Sequence, residues 1–410
     1  MSGREFFTAR TVAEALAGFR PARRTAVESV PREDLLHRVP AAEVPAAHPL
    51  PGFARSTVDG YAVQAADTYG ASDGLPAYLE LAGTVRMGQA AEVAVPAHGA
   101  VAIPTGAVIP DGADAVVMVE YTAETMPGTI EVTRPVAPGG GVVGADDDVP
   151  IGGILVSAGR PLRAPDLGLL AAAGVRAVRV HARPRVAIIS TGDEVVPPDT
   201  GELTAGQVRD ATASALAGLI RDAGGDPVYA GIVPDDADAL IAALRGALAD
   251  SDLVVISAGS SVGARDETAT AVAKLGVIWC HGLAVKPGKP TILAECGDVP
   301  LIGLPGNPLS ALVVFRLVGV PLVWQLAGCD RPPPEPRTRA RLTRNVASQA
   351  GRLDVIQVRL VAGAGGLCAE PLHGPSALLS VLARADGCVL IPEPATGLDA
   401  GTEVDVELYA

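Results

Sequence analysis

The chain has 410 residues, 49% hydrophobic against 19% charged, with 47 Gly and 35 Pro scattered along it. That length predicts roughly two to four domains and excludes disorder. A formal net charge of −14, with no basic tract, argues against a nucleic-acid partner and requires any anionic ligand to find a local basic spot. The N-terminal MSGREFFTAR has charges of both signs and no apolar signal core, so the cytoplasm is the expected compartment. Five cysteines (Cys280, Cys296, Cys329, Cys368, Cys388) without CxxC spacing suggest neither a disulfide framework nor a zinc site.

In chain order, a helix is expected near Thr11 to Arg20, with Thr11 as N-cap and Pro21 as its stop. From Glu43 to Val143, short runs such as Val93–Val95, Val101–Ile103 and Val116–Val119 alternate with turn clusters and read as a β-rich domain. From Arg185 the pattern changes. Apolar strand-like runs at Arg185–Ser190, Pro227–Val233, Asp252–Ser257 and Val299–Leu304 alternate with helical patterns, including Thr212–Ala223 and Leu240, Leu244 and Leu248. This predicts a mostly parallel sheet with helices on both faces. The apolar stretch from Ala311 to Gly328, interrupted by Arg316 and Pro321, reads as a buried helix and not a membrane span. Beyond the linker Arg331-Pro-Pro-Pro-Glu-Pro336, further β runs and a helix near Ser376–Ala385 suggest a small C-terminal β-domain. The expected architecture is therefore α/β plus β and multidomain: residues 1–45 with 146–182, an inserted β-rich domain at 46–145, a central α/β domain at 183–328, and a barrel-like β-domain at 337–410.

Ligands of open α/β sheets sit beyond the carboxyl ends of the strands. The four loops there are Ser190-Thr-Gly-Asp-Glu194, Val233-Pro-Asp-Asp236, Ser257-Ala-Gly-Ser-Ser-Val-Gly263 with Asp266, and Leu304-Pro-Gly-Asn-Pro-Leu-Ser310. Any one of them reads most simply as a tight turn, with Asp236 or Asn307 only capping the next helix. Four on one edge reverse that reading. The chain also has only three Lys, two of them within Lys286-Pro-Gly-Lys289, which suggests compact ammonium groups at a site. Glu194, Asp235 and Asp266 together with these lysines suggest a Mg²⁺-assisted site for a phosphate or oxyanion. The segment Gly139–Asp148 lacks the strand-to-helix context of a phosphate loop.

The motifs Ser56-Thr-Val-Asp-Gly-Tyr-Ala62, Pro104-Thr-Gly-Ala107 continuing to Met118, Ser190–Glu194, Lys286-Pro-Gly-Lys-Pro290 and Gly303-Leu-Pro-Gly-Asn-Pro308 stand in one order along the chain. In that order they resemble the molybdopterin molybdenumtransferase family, the bacterial MoeA type that is also the E domain of gephyrin. The resemblance implies a homodimer with its sites between the α/β domain of one subunit and the β domain of the other. It implies insertion of molybdate into adenylated molybdopterin with Mg²⁺ and release of AMP. Asp59, Asp148, Glu194, Asp235 and Asp266 would act in catalysis, with Glu194, Asp235 and Asp266 also as metal ligands. Thr105, Ser190, Thr191, Gly192, Asp193, Ser257, Gly259, Lys286, Lys289, Pro305, Gly306 and Asn307 would bind substrate. A molybdopterin adenylyltransferase is a candidate partner; nucleic acid and membrane are not.

The chain departs from the family pattern at several positions. Ala102 stands where an Arg is usual, Gly141 and Val143 replace an Asn and an Arg, and Ala211 replaces a Ser, so two cationic groups are missing. Two other readings compete with the enzyme: a non-catalytic molybdopterin-binding or scaffold paralogue, and a nucleotide pyrophosphatase. The acid set favours the enzyme over the scaffold, and the β-domain motifs disfavour the pyrophosphatase.

Overall fold

The computed structural model describes residues 9–257, 262–363 and 365–409, and among them every side chain except those of 262–266. The chain divides into two compact units. One comprises the chain up to Ala42, Ala158–Arg163 and everything from Ala177 onward; the other comprises Glu43–Ser157 and Ala164–Arg176.

In the first unit, α1 (Val12–Gly18) opens on a capping box. Thr11 Oγ1 accepts from the Glu14 amide at 3.0 Å, and Glu14 Oε2 accepts from the Thr11 amide at 2.8 Å. Orphan amide donors at the helix start are thereby satisfied. The helix ends before the expected Arg20, because Phe19 turns extended and buries its ring.

The second unit is a six-stranded sheet built from β1 (Gly60–Val63), β2 (Ala77–Thr84), β3 (Gly99–Ile103), β4 (Ala115–Met118), β5 (Thr122–Met126) and β6 (Thr129–Val132), in the order β4-β1-β3-β2-β6-β5. Alternate residues enter two cores, Val63, Ala100 and Val117 on one side and Ala62, Val101 and Val116 on the other. Val93–Val95, expected as a strand, forms none. Pro96 follows it without a donor, and Val95 instead drops its side chain into the second core while its amide donates to the Asp111 carbonyl.

Returning to the first unit, the α/β part contains β7 (Arg185–Thr191), α2 (Ala211–Asp222), β8 (Asp226–Val233), α3 (Ala237–Asp250), β9 (Leu253–Ser257), α4 (Val262–Leu275), β10 (Val277–His281), β11 (Val285–Lys286), β12 (Ile292–Cys296) and β13 (Val299–Leu304). The sheet order is β8-β7-β9-β13-β12-β10. The first four strands are parallel, and β12 and β10 add an antiparallel edge that the apolar pattern alone does not reveal. Strand residues alternate between faces. Val186, Ile188, Val255 and Ile302 pack with Leu216 and Ile220 of α2, whereas Ala187, Ile189, Val254 and Ile256 pack with Leu240 and Leu244 of α3. Gly224, at φ +79, ends α2 with the Gly225 amide donating to the Ile220 carbonyl.

The apolar stretch forms α5 (Pro308–Leu326), most of it inside the same core as α2. Its middle, Phe315–Gly319, is a π turn just before Pro321, which cannot donate to the carbonyl one turn back. After the proline-rich linker come β14 (Arg337–Leu342), β15 (Leu353–Gly363), β16 (Gly366–Pro371), α6 (Leu379–Ala383), β17 (Gly387–Ile391) and β18 (Glu403–Leu408). The strand order β15-β16-β14-β18-β17 closes on itself through β17–β15 pairing, giving a five-stranded barrel, and β11 joins it alongside β15. The C-terminal helix is shorter than the expected Ser376–Ala385, since Pro375 and the extended Leu378 delay its start.

Leu244 is fully buried under the sheet, whereas Leu248, one turn later on α3, is only half-buried. Leu244→Ala is expected to cost about 2–5 kcal/mol in urea unfolding, and Leu248→Ala clearly less. Equal costs would contradict the placement of α3.

Candidate active site

The four parallel strands end on one edge, and because β12 runs antiparallel it begins there. The functional motifs thus stand in a row: Asp235 after β8, Asp193 and Glu194 after β7, Ser257 closing β9, Pro305-Gly306-Asn307 after β13, and Lys289 just before β12. With neighbouring strands about 4.8 Å apart, the row spans roughly 19 Å. Acids lie at one end and ammonium groups at the other.

At the acidic end, the Asp235 amide donates to Asp193 Oδ1 at 3.2 Å, tying the loops after β8 and β7 together. Partial desolvation, followed by repulsion from Asp193, Glu194 and Glu267, pushes the Asp235 carboxyl above its ordinary value. Glu267 on α4 is a member of this group that the sequence reading missed; it follows Asp266 directly, and only the fold shows that it faces the other loops. The side chain of Asp266 and all of Gly259 lie outside the described residues. Among the described residues, no three acids, histidines or cysteines stand close enough together to form a ready metal cage. Asp236 is a plain helix cap, its Oδ1 accepting from the Ala239 amide at 2.8 Å. Ser190 and Thr191 are buried in β7, and Ser190 Oγ has no hydrogen-bond partner among the described residues.

At the other end is a cleft of about 760 Å³ between the α/β sheet edge and the barrel, and Lys286, Lys289, Arg352, Pro305, Gly306 and Asn307 help line it. None of the acids at the far end of the row lines it. The acids and lysines expected at one point therefore occupy separate stretches of one edge. The lysine loop is held from both sides. The Lys289 carbonyl accepts from the amides of Leu283 and Thr291, and the Thr291 hydroxyl donates to the Gly288 carbonyl at 2.7 Å. Gly288 has φ +125, and a Cβ there would come within 2.3 Å of a Val314 methyl on α5, so the loop admits no side chain at that position. Asn307 precedes α5 but makes no capping bond; its Nδ2 donates to Ser376 Oγ at 2.9 Å, which joins the sheet edge to the barrel side. Arg352, His373 and Ser376 also line the cleft. They escaped sequence reading because they lie beyond the proline-rich linker, away from the carboxyl ends of the α/β strands.

In the other unit, Asp59 Oδ1 accepts from the Thr105 amide at 2.7 Å, so the two predicted residues do meet. That backbone bond, then one from the Thr105 side chain, holds the Asp59 carboxyl below its ordinary value. Gly60 fixes the turn, because a Cβ there would lie 1.8 Å from the Val117 carbonyl oxygen. Asp59 and Ala102 line a second, open cavity of about 340 Å³. Asp148 is exposed, and its amide donates to the Leu50 carbonyl.

Comparison with known proteins gives a consistent result. The MoeA N-terminal region (domain I and II) matches residues 10–174, the family described as "Probable molybdopterin binding domain" matches 187–325, and the MoeA C-terminal region (domain IV) matches 339–409. The chain belongs to the MoeA family. Molybdopterin molybdenumtransferase 2 of Mycobacterium tuberculosis is 33% identical over 408 residues, covering 97% of each chain. Molybdopterin molybdenumtransferase of Bacillus subtilis is 32% identical, covering 93% of this chain and 89% of the relative. A crystal structure of the molybdopterin biosynthesis MoeA protein from Pyrococcus horikoshii superposes with a TM-score of 0.79 at 36% identity, covering 98% of this chain and 99% of that one.

Within this MoeA chain, two departures from the family pattern have a local physical reading. Gly141 sits at φ +72, in the left-handed region where Asn is among the better tolerated non-glycine residues. A Cβ there would nonetheless lie 2.7 Å from the Val116 carbonyl oxygen, so this chain's tighter packing at the turn suits glycine. Ala211 opens α2, where Asp210 already supplies the cap by accepting from the Ala213 amide at 3.0 Å. Among the described residues, nothing compensates Ala102 or Val143.

The raised Asp235 carboxyl has a stability consequence. Desolvation, and then repulsion from the neighbouring acids, penalises the ionised form; that cost is present in full above the raised pKa and absent once pH falls below the ordinary 3.8, so the ionised group costs stability at neutral pH. In chelator-treated buffer, Asp235→Asn should therefore raise the melting temperature near neutral pH, with the gain fading on acidification. A lower melting temperature at neutral pH would contradict a net cost of ionising Asp235.

Proposed function

We propose that this chain is a molybdopterin molybdenumtransferase, which inserts molybdate into adenylated molybdopterin and releases AMP in the last step of molybdenum cofactor synthesis. The observation that carries this reading is the cleft at the carboxyl edge, where two of the three lysines and Arg352 converge in a protein of net charge −14. Neither lysine has an ion-pair partner among the described residues, so both can meet an anion. Full-length relatives bearing that enzyme name support the same reading.

In this reading Lys286, Lys289 and Arg352 bind and orient the oxyanion. The backbone of Pro305-Gly306-Asn307 lets the ligand approach closely. Asp193, Glu194, Asp235 and Glu267 offer hard carboxylate oxygens whose mutual repulsion suits them to Mg²⁺, and Asp266, which precedes Glu267 in sequence, is proposed to join them. When bound, Mg²⁺ would offset phosphate charge and stabilise the departing AMP. Separation along the edge keeps the acids away from the oxyanion and leaves room for an extended adenylated pterin between them. Asp59, Thr105 and Asp148 are proposed to contribute from the β-rich unit in a homodimer. The adenylated substrate would come from a molybdopterin adenylyltransferase in the cytoplasm.

Uncompensated Ala102 and Val143 favour one alternative, a binding or scaffold paralogue. Purified protein supplied with adenylated molybdopterin, molybdate and Mg²⁺ separates the two: the enzyme releases AMP in step with molybdenum incorporation. Lys289→Ala should cut that release at least roughly tenfold, since a charged hydrogen bond to the substrate is lost. Tight pterin binding without AMP release from wild type would instead establish the paralogue.

A further inference from the structure

We infer that Asp354 is a positioning residue, which holds the guanidinium of Arg352 in the orientation that meets the oxyanion. The inference rests on the reading of the cleft as the oxyanion site. Arg352 follows Gly351, at φ +94, in an exposed loop, and a long side chain so placed would otherwise sample many rotamers. Asp354 restrains it. Arg352 Nε donates to Asp354 Oδ1 at 2.7 Å and Nη2 donates to Oδ2 at 3.4 Å, a two-point contact along one side of the guanidinium. The other side, bearing Nη1, has no partner among the described residues, and the Arg352 side chain retains 29% of its exposure while lining the cleft.

Asp354 itself is completely buried, so it touches no ligand and acts only through the arginine. Burying a carboxylate is costly, and an apolar residue would serve packing alone as well or better. Its place in the fold adds a further constraint. Asp354 lies in register with Lys286 where β15 runs parallel to β11, so one ladder sets both the lysine loop and the anchor of Arg352. The result is a preorganised set of cations of two shapes, two ammonium groups and one fork turned outward.

The test compares the KM for molybdate, kcat and melting temperature in wild type, Arg352→Ala, Asp354→Asn and the double variant. Arg352→Ala should raise KM roughly tenfold or more, as expected for a lost charged hydrogen bond. Asp354→Asn should raise it by a similar factor, and the double variant no further than the worse single one, because both remove the same interaction. A packing role alone would lower the melting temperature and leave KM unchanged. If Asp354→Asn does not fold, Arg352→Lys tests the same point: it retains the charge but gives up the fork, and should raise KM comparably. Wild-type KM in Asp354→Asn, or in Arg352→Lys, while Arg352→Ala still raises KM, would overturn the positioning role alone. Wild-type KM in Arg352→Ala would overturn it together with the cleft as the oxyanion site.

Discussion

The short parallel ladder between β11 and β15 is the constraint on which the site depends. Val285 and Lys286 pair with Leu353 and Asp354, and the Leu353 amide donates to the Ala284 carbonyl at 2.8 Å. These few backbone bonds attach the barrel to a loop of the α/β sheet. They add to the bonds that hold the lysine loop within the α/β part, and they fix Lys286 against β15 of the barrel. The Asn307–Ser376 hydrogen bond closes the same junction from the strand β13 side. The cleft thus lies where the sheet edge and the barrel share one strand and part of one core, Val355, Val381 and Cys388 packing into the cluster that holds α2 and α5.

Electrostatics then divides the sheet edge. An acidic protein that takes an anionic ligand must keep its carboxylates from the anion, and here the strand order does so. Asp193, Glu194 and Asp235 follow the outer parallel strands, whereas the lysine loop enters two strands beyond the middle of the row. Partial burial, and then repulsion from the neighbouring acids, raises the Asp235 carboxyl, which leaves that end short of positive charge. A divalent cation would correct that shortage. A molecule with phosphates at one end and a metal-accepting dithiolene at the other suits such a polarised edge.

Much of this was legible in the sequence, and the reasons for the remainder are physical. Short unbroken apolar runs disclosed the parallel strands, because both faces of the sheet are covered, and helical spacing disclosed the faces of α2 and α3. The Ser190–Glu194 and Pro305–Asn307 segments stood out as small-residue loops at strand ends, and Lys286–Lys289 because the chain has only three lysines. Arg352 and Asp354 did not stand out. In a chain with 29 arginines, one more beside an aspartate is unremarkable until β11 and β15 pair across a long sequence separation. Glu267 was hidden for a similar reason, since its meaning depends on loops brought together from β7 and β8. The π turn in α5 and the antiparallel edge of the sheet likewise depend on contacts that no local pattern encodes.

The central claim is that the oxyanion is held between the lysine loop and the barrel, at the basic end of the edge. Diffraction from crystals soaked in tungstate, with anomalous data collected at the tungsten edge, tests it most directly. The account predicts a tungsten peak within hydrogen-bonding reach of Lys286, Lys289 and Arg352. A peak beside Asp193 and Asp235 instead, with the lysine cleft empty, would contradict it.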